Sequence, residues 1–232
     1  MKCINIEIKY NYQFVISNNK FLKKALKYSN YRFIYKNIKN IKNINILEFG
    51  VREGLSTSIF LSLCDKNSGR LTSVDIIDYK HLFKNKKWVF LQSRDDNFTY
   101  IKKKIKKKFD VIYIDSYHEP EHIKKILYYY YSFLKKNGIM FIDDISWLPY
   151  VKNSYRENSW NEITNRKTFL KITEIYLQNL KNFNLEFSFD NSGMAMITKK
   201  NNLNLLQPKK IHNSEFGIKN FLRKILRKKP KN

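Results

Sequence analysis

The sequence predicts an α/β fold in which a mostly parallel sheet carries helices on both faces. One pattern carries that prediction. Apolar runs of strand length alternate with stretches of helical periodicity from Ile44 to Asp143. Such an alternation closes most simply as a parallel sheet with crossover helices. The 232 residues suit one large domain with extensions, long enough to bury a sizeable core. No repeat of about 20 to 50 residues interrupts the pattern.

The elements follow in order. Phe21–Tyr28 and Tyr31–Ile38 show weak helical periodicity in a segment rich in Lys, Asn, Tyr and Ile. Ile44–Phe49 is a short apolar run that ends at Gly50, which suits a buried strand. Leu55–Cys64 places Leu55, Ile59, Phe60 and Leu63 on one helical face. Arg70–Asp75 and Trp88–Leu91 read as the second and third strands, Phe98–Lys108 as a basic helix, and Asp110–Asp115 as the fourth strand. Glu119–Lys136 reads as a long helix stopped by Asn137-Gly138, followed by a fifth strand at Ile139–Asp143. A polar and aromatic stretch, Trp147–Trp160, precedes a helix at Phe169–Leu180. Leu185–Phe189 and Met194–Thr198 flank Asp190-Asn191-Ser192-Gly193, which predicts an antiparallel hairpin. The expected divisions are an N-terminal helical extension at 1–43, a domain at 44–200 and a basic amphipathic tail at 201–232.

Composition narrows the function classes. Hydrophobic residues at 43% and aromatics at 16% exclude a disordered chain. No uncharged apolar run reaches about 18 residues, and the first residues lack the apolar core of a signal peptide, so the cytoplasm is the expected compartment. Cys3 and Cys64 make neither a disulfide framework nor a zinc site. The net charge of +25 invites a nucleic-acid or anionic-membrane partner. However, 37 of the 45 basic residues are Lys, Asn occurs 27 times and Ala twice, a bias that follows AT-rich codons. Compositional drift is therefore the first reading of the charge, and Ile101–Lys108 reads as a solvated helix face. From Lys199 onward, 11 basic residues stand against Glu215 alone, and Ile218, Phe221, Leu222, Ile225 and Leu226 share one helical face. Surface packing is the first reading of this tail. Peripheral contact with an anionic inner-membrane surface is the second, and nucleic acid the third.

Chemistry gathers at the strand ends. Glu48-Phe-Gly50-Val-Arg-Glu-Gly54-Leu-Ser56 closes the first strand, and its glycines let the backbone turn sharply and approach a ligand. The helix that follows aims free N–H groups over the strand ends. The G-x-x-x-G spacing is not the dinucleotide fingerprint. Asp75 ends the second strand, 25 residues after Gly50, where a carboxylate can accept from ribose hydroxyls. Asp115-Ser-Tyr-His118 closes the fourth strand and Asp143-Asp144 the fifth. Adjacent strand ends would bring these three acids together, and convergent carboxylates repel unless a cation holds them. Oxygen ligands without Cys point to a hard cation such as Mg²⁺ or Ca²⁺. His118 titrates near neutrality and suits a proton acceptor or a partner to an aspartate.

These residues resemble a known family. Glu48–Ser56 is similar to motif I of class I S-adenosylmethionine (SAM)-dependent methyltransferases, (E/D)-x-G-x-x-x-G-x-S/T. The segment IDSYHEPEHIKKIL…LKKNGIMFIDDI resembles I-D-G-x-H…L-x-x-G-G-x-x-x-x-D-D of the catechol O-methyltransferase-like and macrocin-type sugar O-methyltransferases. Ser116 and Asn137 stand where that pattern has glycine, and Gln92–Asp96 departs from the usual Gly-Asp pair. The resemblance implies a Rossmann-like, seven-stranded sheet with a C-terminal antiparallel hairpin. It implies SAM on Glu48, Gly50, Gly54, Ser56, Asp75, Ser93 and Asp115. It further implies a divalent cation, Mg²⁺ first, on Asp115, Asp143 and Asp144, with His118 as base. The expected activity is O-methylation of a sugar, glycan or small-molecule hydroxyl, with Trp147–Trp160 as a lid and a homo-oligomer among the admissible assemblies. The alternative is a nucleic-acid-directed or non-catalytic SAM-binding protein of the same fold.

Overall fold

The computed structural model describes residues 22–146 and 159–209, without the side chains of 159–162, and Ile218, Phe221 and Leu222 beyond them. The elements are α1 (Ser29–Ile38), β1 (Asn45–Phe49), α2 (Leu55–Lys66), β2 (Arg70–Asp75), β3 (Trp88–Gln92), α3 (Phe98–Lys104), β4 (Phe109–Ile114), α4 (Pro120–Tyr131), β5 (Leu134–Asp143), α5 (Ser159–Gln178), β6 (Phe183–Ser188) and β7 (Met194–Lys199). They form a seven-stranded sheet in the order β3-β2-β1-β4-β5-β7-β6. The first five strands pair in parallel. β7 runs antiparallel between β5 and β6.

Side chains along a strand alternate between faces, so the two halves of each strand pattern enter different cores. Leu47 and Phe49 of β1, with Ile112 and Ile114 of β4, pack with Ile123, Ile126 and Tyr130 of α4 and Ile172 and Ile175 of α5. Ile46 and the opposite β4 residues Val111 and Tyr113 pack with Ile34 and Ile38 of α1 and Ile59, Phe60 and Leu63 of α2. Helices therefore cover both faces. Phe49 and Tyr130 are among the largest fully buried side chains, and their ring centroids lie 4.5 Å apart.

Several predicted boundaries differ, those of three helices most. The α4 helix ends at Tyr131 rather than Lys136, because Leu134 already pairs with Phe109. The Asn137-Gly138 signal lies within β5, where Asn137 takes φ +63° and the register shifts between Phe109 and Val111. It marks an irregularity in the strand, since the same left-handed conformation that ends helices also serves bulges. The α3 helix ends at Lys104, because Ile105 turns extended (φ −89°, ψ 120°) and enters the core. The α5 helix is longer than Phe169–Leu180 and starts at Ser159. The aromatic lid expected at Trp147–Trp160 lies outside the residues whose side chains are described.

The strand order reverses between β1 and β4, the place where open α/β sheets bind ligands above their C-terminal edge. At that point Gly50 has φ +91°, and a Cβ there would stand 1.9 Å from the Asp115 carbonyl oxygen. Only glycine lets the turn after β1 pass so close to the end of β4.

Candidate active site

The turn after β1 is held from below and from the side. Beneath it lies Glu48, fully buried, whose carboxylate accepts from Ser56 Oγ at 2.6 Å, Thr57 Oγ1 at 2.9 Å and Ser73 Oγ at 2.5 Å. Burial pushes its carboxyl up to about 7 against the pull of these three hydroxyls. Glu48 was expected to bind cofactor. It instead lies under the floor of the site and ties β1, β2 and the start of α2 together. Ser56, expected beside it, is also buried and gives its hydroxyl to Glu48. Gly54 caps α2 in the left-handed region (φ +76°), where a Cβ would meet the Phe83 ring at 2.7 Å.

From the side, Asp75 accepts from Val51 N at 2.7 Å and Arg52 N at 3.3 Å on one oxygen, and from Ile77 N at 3.0 Å on the other. It therefore orders both the glycine turn and the chain beyond β2. Gly50, Asp75, Ser93 and Asp115 line one cleft of about 620 Å³. That volume falls within the range of small-molecule and cofactor sites. The walls beyond them are Ile76 and Ile77, both exposed, with Tyr79.

Sequence reasoning passed over a polar cluster on the same wall. Asp95 is nearly buried; its Oδ2 accepts from Ser116 Oγ and lies 2.8 Å from His122 Nε2. Tyr130 donates to the Asp95 backbone carbonyl at 2.7 Å from the core side. Asp95 sits in the Gln92–Asp96 stretch that departs from the family pattern, and only Ser93 was singled out there. Ser93 Oγ donates to the neighbouring Arg94 carbonyl, whereas Asp95 is anchored by three side chains, one after β4 and two on α4.

The three strand-end acids do converge. Tyr113 Oη lies 3.0 Å from Asp115 Oδ2 and 2.8 Å from Asp143 Oδ2, joining the ends of β4 and β5. His118 Nε2 lies 3.4 Å from Asp115 Oδ1 and 3.3 Å from Asp144 Oδ2. Burial would lower the imidazole, but its hydrogen bond to Asp115 and the charges of Asp144, Asp115 and Asp143 outweigh it and raise His118 to about 9. Asp143 is pushed up to about 7 by burial and by the charges of Asp115 and Asp144, and burial likewise raises Asp144. The carboxylates are crowded beyond what one imidazole relieves, and His118 Nδ1 is buried without a partner.

The expected three-carboxylate cage is not assembled. No group of three or more His, Cys, Asp or Glu among the described residues is arranged to hold a metal ion. The reason is Asp143. Its oxygens accept from Tyr113, Asn30 Nδ2 at 3.4 Å, Ser192 Oγ at 2.8 Å and Asp144 N at 2.8 Å, which fills a carboxylate's capacity. Asp115 and Asp144 each aim an oxygen at one place, now held by His118 Nε2. Their donor chemistry fits a hard divalent cation.

Asn30 and Tyr31, from the segment read as an N-terminal extension, also reach this centre. Asn30 is buried against Asp143, and Tyr31 lines a second cleft of about 220 Å³ with Arg52, Ser56 and Asp115. Asp115 thus divides the two clefts. Weak helical periodicity in α1 gave no sign of this contact.

Comparison with known proteins agrees with the geometry. Residues 47–145 match the family model described as a methyltransferase domain. No curated protein matches the chain in sequence. Among solved structures, the MycE methyltransferase of the mycinamycin biosynthetic pathway, in complex with Mg, SAH and mycinamycin VI, is 16% identical with a TM-score of 0.56. The alignment covers 75% of this chain and 49% of MycE, so the chain spans about half the length of that protein. The SAH-bound methyltransferase PaMTH1 of Podospora anserina is 13% identical with a TM-score of 0.60, over 80% of this chain and 88% of that one. The sheet order, the glycine turn and the match over residues 47–145 agree: the chain has the class I methyltransferase fold, and its residues 47–145 are similar to a methyltransferase domain.

Proposed function

We propose that the protein transfers the methyl group of SAM to a hydroxyl oxygen of a sugar, a glycan or another small acceptor. The observation that carries this reading is the position of His118 between Asp115 and Asp144, beside a cleft lined by Gly50 and Asp75. SAM lies in that cleft, its ribose toward Asp75 and its base toward Ile76, Ile77 and Asp95. The acceptor approaches from the second cleft, across Asp115.

In its neutral form His118 takes the proton of the acceptor hydroxyl on Nε2 as that oxygen bonds to the methyl carbon and the carbon–sulfur bond breaks, leaving a neutral thioether and an imidazolium held by Asp115 and Asp144. Asp115 and Asp144 orient the imidazole through the same nitrogen, and Tyr113 fixes Asp115 against Asp143. A divalent cation held by Asp115 and Asp144 would acidify the acceptor hydroxyl and orient it. MycE, which shares the fold, was solved with Mg and SAH, and this supports the cation reading. Positioning of the two reactants supplies much of the acceleration.

The test is mass analysis of products from SAM with a panel of glycans and nucleotide sugars, with and without Mg²⁺. A product heavier by one methylene, formed about 10²-fold or more slowly by His118→Ala, is expected. Full turnover by His118→Ala removes the base assignment, and no methylated product from any hydroxyl acceptor removes the proposed chemistry.

A further inference from the structure

We propose that the pole of the sheet opposite the cleft docks on an anionic membrane surface. This goes beyond the methyl-transfer reading and does not rest on it.

The five parallel strands all begin at this pole. Lys106, Lys107 and Lys108 lead into β4, Lys42 leads into β1, and Lys136 stands in the irregular start of β5. All are exposed, and Asn45 Nδ2 donates to the Lys108 carbonyl at 3.0 Å, which joins the β1 and β4 sides of the patch. From Ile101 to Lys108 only Ile101 and Ile105 turn inward, so the lysines are splayed outward from a fixed core anchor. No ion pair involves these five lysines among the described residues, whereas the two acids of this pole already have partners. Asp110 is paired with Lys135 at 2.8 Å and Asp65 with Lys87 at 3.5 Å. The other pole differs in sign. Asp75, Asp95, Asp96, Asp115, Asp143 and Asp144 collect there, and Arg94 and Lys125 are paired with Asp96.

Leucines extend the lysine patch. The chain after β7 crosses the α5–β6 turn, where Asn201 Nδ2 donates to the Lys181 carbonyl at 2.7 Å and Lys200 Nζ to the Leu180 carbonyl at 3.0 Å. It is then fixed by Asn179, which binds both the N–H and the carbonyl of Leu206. This leaves Leu180, Leu203 and Leu206 half or more exposed on backbone that is held in place. Further on, Ile218 is 80% and Phe221 63% exposed, within a sequence that is otherwise strongly basic. Lysines with adjacent exposed apolar side chains fit a lipid surface: the charge meets anionic headgroups while the leucines enter the acyl boundary. A nucleic acid would use the lysines, but of these exposed apolar side chains only Phe221 offers a face for a base to stack on, and Leu180, Leu203, Leu206 and Ile218 do not.

The test is co-sedimentation of the full chain with vesicles of phosphatidylcholine alone or with about 30 mol % phosphatidylglycerol. Retention at least about tenfold stronger on the anionic vesicles, largely lost in about 0.5 M salt, is expected. Lys106→Glu/Lys107→Glu/Lys108→Glu and, separately, Leu203→Asp/Phe221→Asp should each weaken retention about tenfold or more, with thermal midpoint and SAM affinity unchanged. Equal retention on both vesicles, or full retention by either variant, overturns the proposal. Tighter binding to a single-stranded RNA oligonucleotide than to the anionic vesicles reassigns the surface to nucleic acid and likewise overturns it.

Discussion

His118 Nε2 stands 3.3 Å from Asp144 Oδ2, although one residue follows β4 and the other follows β5. The contact joins the end of β4, which lines the cleft, to the end of β5, and Asp144 reaches it in a left-handed conformation, φ +58°. An imidazolium here does the electrostatic work that the crowded carboxylates require of any cation. Once a cation takes over that charge and the ring is neutral, the same imidazole is the group placed to accept a proton from a hydroxyl bound beside Asp115.

This arrangement makes imidazolium and metal competitors for the same oxygens. His118 should titrate near pH 9 in the free protein, read by NMR of its ring protons. A raised imidazole stabilises the fold fully below its ordinary value of 6.5, and that contribution is lost as pH rises through about 9. Adding Mg²⁺ should move the midpoint down, since the cation takes the charge of Asp115 and Asp144 away from the ring. An unmoved midpoint at saturating Mg²⁺ places the cation elsewhere.

Glu48 gives a second pH dependence with its own sign. Its carboxyl is raised from 4.5 to about 7, so the fold prefers it protonated, and stability falls as pH rises through that window. The difference corresponds to about 3 kcal/mol. Glu48→Gln removes the titration, with its amide nitrogen offered to Ser56 Oγ and its oxygen to Thr57 and Ser73. Denaturant unfolding should find the variant the more stable protein above pH 8 and no more stable than the parent below pH 5. Asp143 titrates in the same range, so the diagnostic quantity is the difference between the two proteins.

Gly50→Ala places a methyl against the Asp115 carbonyl and forces φ +91° on a residue with a side chain. Both the β1–β4 spacing and the Asp115 side chain must shift. The expected cost is at least about 2 kcal/mol in stability, with SAM affinity lost in whatever protein folds. Gly138→Ala makes a good comparison, because its Cβ would crowd Leu134 and the Lys135 carbonyl oxygen at 2.9 Å in the irregular start of β5, away from the cleft; it should cost stability and leave SAM affinity intact.

Most of the sheet was legible because its strands are short, apolar and stopped by Gly50, Asp75, Asp115 or Asp143, residues that sit at the ligand edge for chemical reasons. The end of α4 was not, since Asn137-Gly138 is the same signal for a helix stop and a strand bulge, and pairing with Phe109 decides between them. Glu48 was misjudged although parity within β1 held the answer. Its neighbours Leu47 and Phe49 face α4 and α5, so Glu48 must face α2, inside the protein. Asn30 and Tyr31 carry no local mark of their role, because their contacts with Asp143 and the second cleft are made across the whole fold. Asp143 looked like a ligand on spacing alone, and the Tyr113, Ser192 and Asn30 donors that occupy it come from three distant segments.

The most direct measurement of the central claim is calorimetric titration of the full chain with SAM, set against Asp75→Ala. Saturable one-to-one binding, weakened about tenfold or more by the substitution, is the result this structure calls for. No heat of binding at millimolar SAM, or identical affinity in Asp75→Ala, would contradict it.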